Sequence, residues 1–346
     1  MNQSSTISVP TLPEDSPLVY FSPEGQRQAP TFPLALAPSD RISAVEPLER
    51  RLQLQRWLTE NRSWLRSALQ EHGAILLRGF GLEGAQDFEE TLDSAGFTAT
   101  PYLGGAAPRE RVRGQRILTS NESPPEEPIP FHHEMAQTPN PPAYISFFCE
   151  VAPQVGGETP IIYSPAICRR FREICPEFAQ RVAELGVCYR RVMPAQDDPN
   201  SPIGRSWRST FLCEEREEAE EKMRAAGMRW RWLEEESLET LSAPTPALRV
   251  DPRTGEEVFF NSMVAAYTGW QDERNEATES LVCGDESPVD GAALLKTKAE
   301  MELLCAAIAW TKGDLLLIDN GLVMHSRRPF SGPRRILASI AQGIQD

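Results

Sequence analysis

An α+β, strand-rich fold is what this 346-residue sequence predicts, and three observations carry the expectation. Its 30 prolines cluster in loops, which suits many short strands better than long helices. Short apolar runs of β type recur between Pro and Gly breaks, at residues 74–77, 144–150, 159–163, 315–320 and 336–340. Apolar residues at helical spacing are confined to a few stretches between them. The length has room for a large core, as one big β-rich domain or two smaller ones.

Residues 1–40 are Pro/Ser-rich, weakly patterned, and read as an extended N-terminal arm. From 46 to 72 the apolar residues Leu48, Leu52, Leu58, Trp64, Leu65 and Leu69 recur at helical spacing, and Gly73 is placed to end the helix. His72 then reads as a helix-end residue near the C-terminal dipole. Ala74–Leu77 is a short, fully apolar strand, and residues 85–95 are a helix closed by Gly96. Residues 97–130 are loop-rich, with Gly104-Gly105 and the run NESPPEEPIP. A strand over 144–150 follows, and Gly156-Gly157 breaks the chain before another at 159–163. Ser164-Pro165 opens a helix, serine as cap and proline in the first turn, and a second helix over 176–185 ends at Gly186.

Residues 187–260 read as an insertion between two parts of a sheet system. It holds a charged helix over 214–226, a hairpin pairing 228–233 with 238–241, turn chemistry in Asp251-Pro252-Arg253-Thr254-Gly255, and a strand over 258–261. The run EEREEAEEK reads as a solvated helix face, and Trp207, Trp230, Trp232 and Trp270 as core. A long helix is expected over 290–309, then a buried strand over 315–320, and a last strand over 336–340 after Arg334-Arg335.

Thirty-five basic residues against fifty acidic ones leave a net charge of −15, which argues against a broad phosphate-contact surface and so against a nucleic-acid role. The seven cysteines are scattered, form no CxxC pair, and read as reduced, buried thiols. No apolar run approaches the ~20 residues of a membrane span. The first residues lack the basic start and apolar stretch of a secretion signal. The expected compartment is cytoplasmic, with no membrane partner.

Two of the four histidines fall in Phe131-His132-His133-Glu134, after the proline- and acid-rich loop. On an extended stretch, side chains two apart share a face, so His132 and Glu134 point one way and His133 the other. That is half a metal site. His325, just beyond the buried strand, can complete it if the sheet folds back. Two histidines and one carboxylate are the facial triad of non-haem Fe(II) oxygenases, which leaves three coordination positions open. His133 is a poorer ligand candidate and reads as a supporting or packing neighbour.

The runs IPFHHEMAQ, PAYISFFCEVAPQVGGETPI, VFFNSMVAAYTGW and GDLLLIDNGLVMHSRRPFSGPRRILASIAQ resemble the TauD/TfdA superfamily of Fe(II)- and 2-oxoglutarate-dependent dioxygenases, within it the clavaminate-synthase-like group. The resemblance implies a double-stranded β-helix, or jelly roll, with flanking helices and a long insertion, and one domain over 41–346. It implies that His132, Glu134 and His325 bind Fe(II), and that Thr159 and Arg335 bind the cosubstrate 2-oxoglutarate, with O2 as second cosubstrate. A guanidinium fork and a threonine hydroxyl suit the far carboxylate of the keto acid. In taurine dioxygenase a second arginine, four residues on, grips the sulfonate; counted from Arg335 that position is Ser339, which speaks against a sulfonate substrate. Family members that halogenate lack the carboxylate ligand; Glu134 is present, so hydroxylation or another oxidation begun at a C–H bond of a small molecule is expected. Asn121, Phe131, Asn261 and Arg334 are candidate substrate contacts. Against this stand two other readings: a non-catalytic jelly roll that binds 2-oxoglutarate or a metabolite, and a zinc or manganese hydrolase or isomerase on a cupin-like barrel.

Overall fold

The computed structural model describes residues 9–13, 16–23 and 32–345. Within the expected arm, residues 1–8, 14–15 and 24–31 lie outside the described residues. The rest of the arm supplies strands Leu18–Tyr20 and Leu34–Pro38, which extend the edge of a large sheet. That sheet continues through Ala74–Leu77, Leu315–Asp319, Tyr144–Val151 and Arg335–Ile344. A smaller three-stranded sheet is built from Ile161–Tyr163, Val323–Arg327 and Ile129–His132, all antiparallel.

Strand alternation assigns each side chain to a layer. Ile145, Phe147, Leu316, Ile318, Ile336, Ala338 and Ile340 of the large sheet meet Ile161 and Val323 of the small one in a shared inner core. The opposite face of the large sheet, with Ile75, Leu77, Phe148, Leu315 and Leu337, is covered by helices Pro47–Glu60, Arg62–His72 and Ala85–Ser94. The outer face of the small sheet, with Phe131, Ile162 and Met324, is covered by helices Ser164–Ile174, Pro176–Leu185, Met263–Gly269 and Gly291–Leu304. Two facing sheets, antiparallel apart from the parallel pair of Leu34–Pro38 with Ala74–Leu77, and clad by helices, are the expected jelly roll. None of the described helices is long and apolar enough to cross a membrane. All seven cysteines are buried, as expected.

The differences from expectation are local. The 46–72 helix is two, broken at Asn61, and Gly73 ends the second at φ 73°. A Cβ there would also lie 2.5 Å from Val323 Cγ2, so the small sheet needs the glycine twice over. Ser164 is the first helical residue and no cap; its hydroxyl is engaged by His133. The stretch after Val258 turns into helix Met263–Gly269, and His325, expected just beyond the buried strand, lies in the middle of the next strand, Val323–Arg327. The inserted sheet runs past residue 260: Val187–Met193 pairs with Leu238–Leu241 on one side and with Leu281–Cys283 on the other. Its hairpin, Arg229–Trp232 with Leu238–Leu241, is as read. Of the charged helix Arg216–Ala225, Ala219 and Met223 are buried, and Trp207 sits in the insertion's own core.

Candidate metal centre

His132 is the last residue of its strand and pairs directly with His325 on the neighbouring one. Both side chains face the inner core side of the small sheet, and their rings lie 4.3 Å apart. Glu134 follows two residues later on the same side, its Oε2 3.5 Å from His325 Nε2. One ligand atom from each of the three falls within 4.8 Å of the others, a spacing one cation can bridge. His132 Nδ1 lies 2.9 Å from the Pro130 carbonyl, so Nδ1 donates and Nε2 keeps its lone pair for a metal.

Protonation favours the same role. Burial, and then the neighbouring His325, bring His132 down to about 4. Burial opposes ionisation of Glu134, but the Arg109 guanidinium and the two imidazoles outweigh it and hold the carboxyl at about 2. At neutral pH the donor set is a neutral imidazole and a carboxylate, with no proton to displace from either.

His133 points away, as alternation predicts. It is fully buried, with Nδ1 2.5 Å from the Asn320 carbonyl and Nε2 3.0 Å from Ser164 Oγ. Burial holds it well below the usual histidine range, so it is neutral, donating from Nδ1 and accepting at Nε2. Beyond Glu134 the chain turns through Met135, at φ 55°. Asn320 fixes that turn: its Oδ1 accepts from the Glu134 N–H at 2.7 Å and its Nδ2 donates to the Glu134 and Pro142 carbonyls. Replacing Asn320 with alanine leaves one N–H and two carbonyls buried without these partners. The expected cost is about 2–4 kcal/mol in urea unfolding of the metal-free protein, with weaker metal uptake. An unchanged unfolding midpoint would contradict this role.

The three ligand candidates open onto a cavity of about 100 Å³ also lined by Thr159, Asn121, Arg109, Arg327 and Arg334. Thr159 is where the sequence placed it, its Oγ1 accepting from Trp310 Nε1 at 3.1 Å, which leaves the hydroxyl proton free to donate. Arg335 is not at the cavity. It is exposed, and its Nη1 pairs with Glu150 at 3.0 Å. Of the Arg334-Arg335 pair it is Arg334 that lines the cavity, and it was expected only as a substrate contact. Strand parity explains the correction: Ile336, Ala338 and Ile340 face the inner core, and the same parity extended back reaches 334. Leu337 and Ala341, on the outer face, share parity with Arg335. Arg334 Nε donates to the Gly157 carbonyl at 3.0 Å, and burial pulls the group down to about 10. Gly157, at φ 70°, leaves room for it, since a Cβ would lie 3.0 Å from Arg334 Cδ. Counted from Arg334, the position four residues on is Ala338, buried and without charge.

Among the other candidates, Asn121 lines the cavity, its Oδ1 accepting from the Ser123 N–H and hydroxyl. Phe131 does not; it is buried in the outer core of the small sheet. Asn261 does not either, because its amide donates to the Ala247 carbonyl and accepts from the Met263 N–H. Trp270, expected as plain core, also lines the wall. Three residues escaped the sequence reading. Asn320 had a signal, as a polar residue ending a strand apolar on both faces must be bonded. Arg327 donates to the Ser123, Pro124 and Glu127 carbonyls, pinning the proline-rich loop over the site. Arg109 stood beside Arg111 and Arg113 with nothing to distinguish it.

Residues 36–340 match the family model for the taurine catabolism dioxygenase TauD, TfdA family. A clavaminate synthase-like protein of Arabidopsis thaliana is 44% identical over 311 residues, covering 90% of this chain and 94% of the relative. The dapdiamide synthesis protein DdaC of Enterobacter agglomerans is 28% identical, covering 80% and 84%. Among solved structures, the PvcB protein of Pseudomonas aeruginosa superposes with TM-score 0.52 at 15% identity, covering 96% of this chain and 94% of that one. An asparagine oxygenase, solved with Fe(II), hydroxyasparagine and succinate, gives 0.51 at 13% identity over 89% and 93%. At those identities the structural likeness concerns the fold.

Proposed function

The chain belongs to the taurine catabolism dioxygenase TauD, TfdA family, and on that premise we propose that it is an Fe(II)- and 2-oxoglutarate-dependent dioxygenase hydroxylating a C–H bond of a small metabolite such as an amino acid derivative. The observation that carries the reading is one cavity lined both by the two-histidine, one-carboxylate cluster and by Arg334 and Thr159. When bound, the iron supplies oxidation of the substrate by O2, coupled to decarboxylation of 2-oxoglutarate to succinate and CO2.

The chain's own residues supply position and polarity. His132, Glu134 and His325 hold the metal, with Asn320 fixing the turn that carries Glu134. Arg334 and the Thr159 hydroxyl receive the far carboxylate of 2-oxoglutarate, the guanidinium as a fork and the hydroxyl as a single donor. Phe147 and Met135 give the cavity apolar wall, which limits water beside the reacting carbon. The presence of Glu134 favours hydroxylation over halogenation, because the carboxylate occupies the position a halide would need.

Anaerobic addition of Fe(II) and then 2-oxoglutarate is expected to give a weak visible charge-transfer band, and a metabolite panel under air to give succinate with a product one oxygen heavier. A hydrolase or isomerase would turn over without 2-oxoglutarate, and a non-catalytic binder would show the band but no succinate with any substrate.

A further inference from the structure

We propose that Arg109 is the docking group for the primary substrate, and that this substrate is a carboxylate with an apolar body and no free ammonium group. The inference rests on the dioxygenase reading and deepens it. Arg109 is buried, with its side chain 5% exposed. One nitrogen, Nη2, spans both Glu134 oxygens at 3.0 and 2.9 Å. The guanidinium face stacks on the Tyr102 ring at 4.4 Å, and Nε and Nη1 are buried with no hydrogen-bond partner. A buried cation with two idle donors is costly unless something arrives to accept from them.

The other cavity arginines are committed elsewhere. Arg327 donates to three loop carbonyls, and Arg334, bonded to Gly157 through Nε alone, is the group assigned to the keto acid beside Thr159. Arg109 alone adjoins the metal ligands with donors to spare. Loading the site sharpens the demand. A divalent cation takes over the Glu134 charge, and a dianionic keto acid still leaves metal, Glu134, Arg109 and Arg334 net positive. One more anion beside Arg109 reduces that excess.

The lining also speaks against an ammonium group. Among the described residues Glu134 is the sole carboxylate lining the cavity, and it is a metal ligand candidate. A second cavity of about 460 Å³ shares Ala106, Met135, Gln137 and Trp270 with the first, and among the described residues no acidic one lines it. Leu103, Met193, Phe211 and Met228 are among its walls, so it suits an apolar body. In a chain of net charge −15, two neighbouring cavities that share four wall residues and together carry five cationic residues and one carboxylate are a local inversion directed at an anion.

The test uses the full chain loaded with Mn(II) and N-oxalylglycine, which cannot turn over. The probes are straight-chain monocarboxylates from butyrate to dodecanoate, with the matching amides and amines, measured by calorimetry. At least one carboxylate is expected to bind about tenfold or more tightly than its amide, with amines weaker still. R109Q should lose that preference and R109K keep part of it, while both still take up Mn(II) and N-oxalylglycine. Equal binding of carboxylate and amide, tighter binding of an amine, or an undiminished preference in R109Q overturns the proposal. So does loss of Mn(II) uptake in R109Q, which would make Arg109 a support for Glu134 alone. Failure of the wild type to bind Mn(II) and N-oxalylglycine would instead sink the dioxygenase reading beneath it.

Discussion

His325→Ala is expected to reduce metal affinity by at least ~100-fold, since loss of a residue that merely supports a ligand already costs 10–100-fold, and to abolish turnover. The reason is supply. The cluster has three donors, and among the described residues His133 is turned away onto Asn320 and Ser164 and cannot substitute. The same substitution should be mild for the fold. His325 Nδ1 has no hydrogen-bond partner to abandon, and no main-chain group depends on the ring. His133→Ala should do the opposite. It strands the Asn320 carbonyl and the Ser164 hydroxyl in a buried setting, for about 2–4 kcal/mol, while leaving all three ligand candidates in place. Thermal unfolding with and without Mn(II) separates the two. The wild type gains roughly 2.7 kcal/mol at a hundredfold excess over Kd. His325→Ala keeps the metal-free midpoint and loses the gain; His133→Ala lowers both curves and keeps the gain. If His133→Ala removed the metal response and His325→Ala did not, the ligand assignment would be wrong.

What the sequence made legible was whatever alternation and punctuation encode. Period two separated His132 and Glu134 from His133, and the buried run 315–320 located the strand beside which the chain folds back to bring His325 home. Glycines marked helix ends at 73, 96 and 186, each at positive φ. What was not legible depends on partners distant in sequence. Arg109 acquires meaning only from Glu134, and Asn320 only from the main chain at 134 and 142. Phe131 and Asn261 were drawn into the site by proximity to motifs, yet packing turned one outward and the local turn consumed the other. The insertion ran past its expected end because Leu281–Cys283 is a three-residue strand whose pairing partner lies more than ninety residues back.

Arg334→Ala is expected to weaken 2-oxoglutarate binding by about 30-fold or more, the effect of removing one partner of a desolvated charge pair, about 2–5 kcal/mol. Arg335→Ala should leave it within about threefold and cost under ~1 kcal/mol in stability, as its pair with Glu150 is half exposed. The argument turns on which arginine is held ready for an anion. Burial, and then the neighbouring Arg327, have drawn Arg334 down to about 10, so the fold bears a desolvation cost that an incoming negative charge relieves. Arg335 has found its carboxylate already, on the outer face of the sheet. Arg334→Lys should recover part of the binding through its charge but not the fork, so its Kd for 2-oxoglutarate should fall between wild type and alanine. The measurement is 2-oxoglutarate titration of the anaerobic Fe(II) protein by its visible band, for the wild type and all three variants. Should Arg335→Ala prove the damaging substitution, the parity of the last strand has been misassigned, and Arg334 loses its claim to the keto acid.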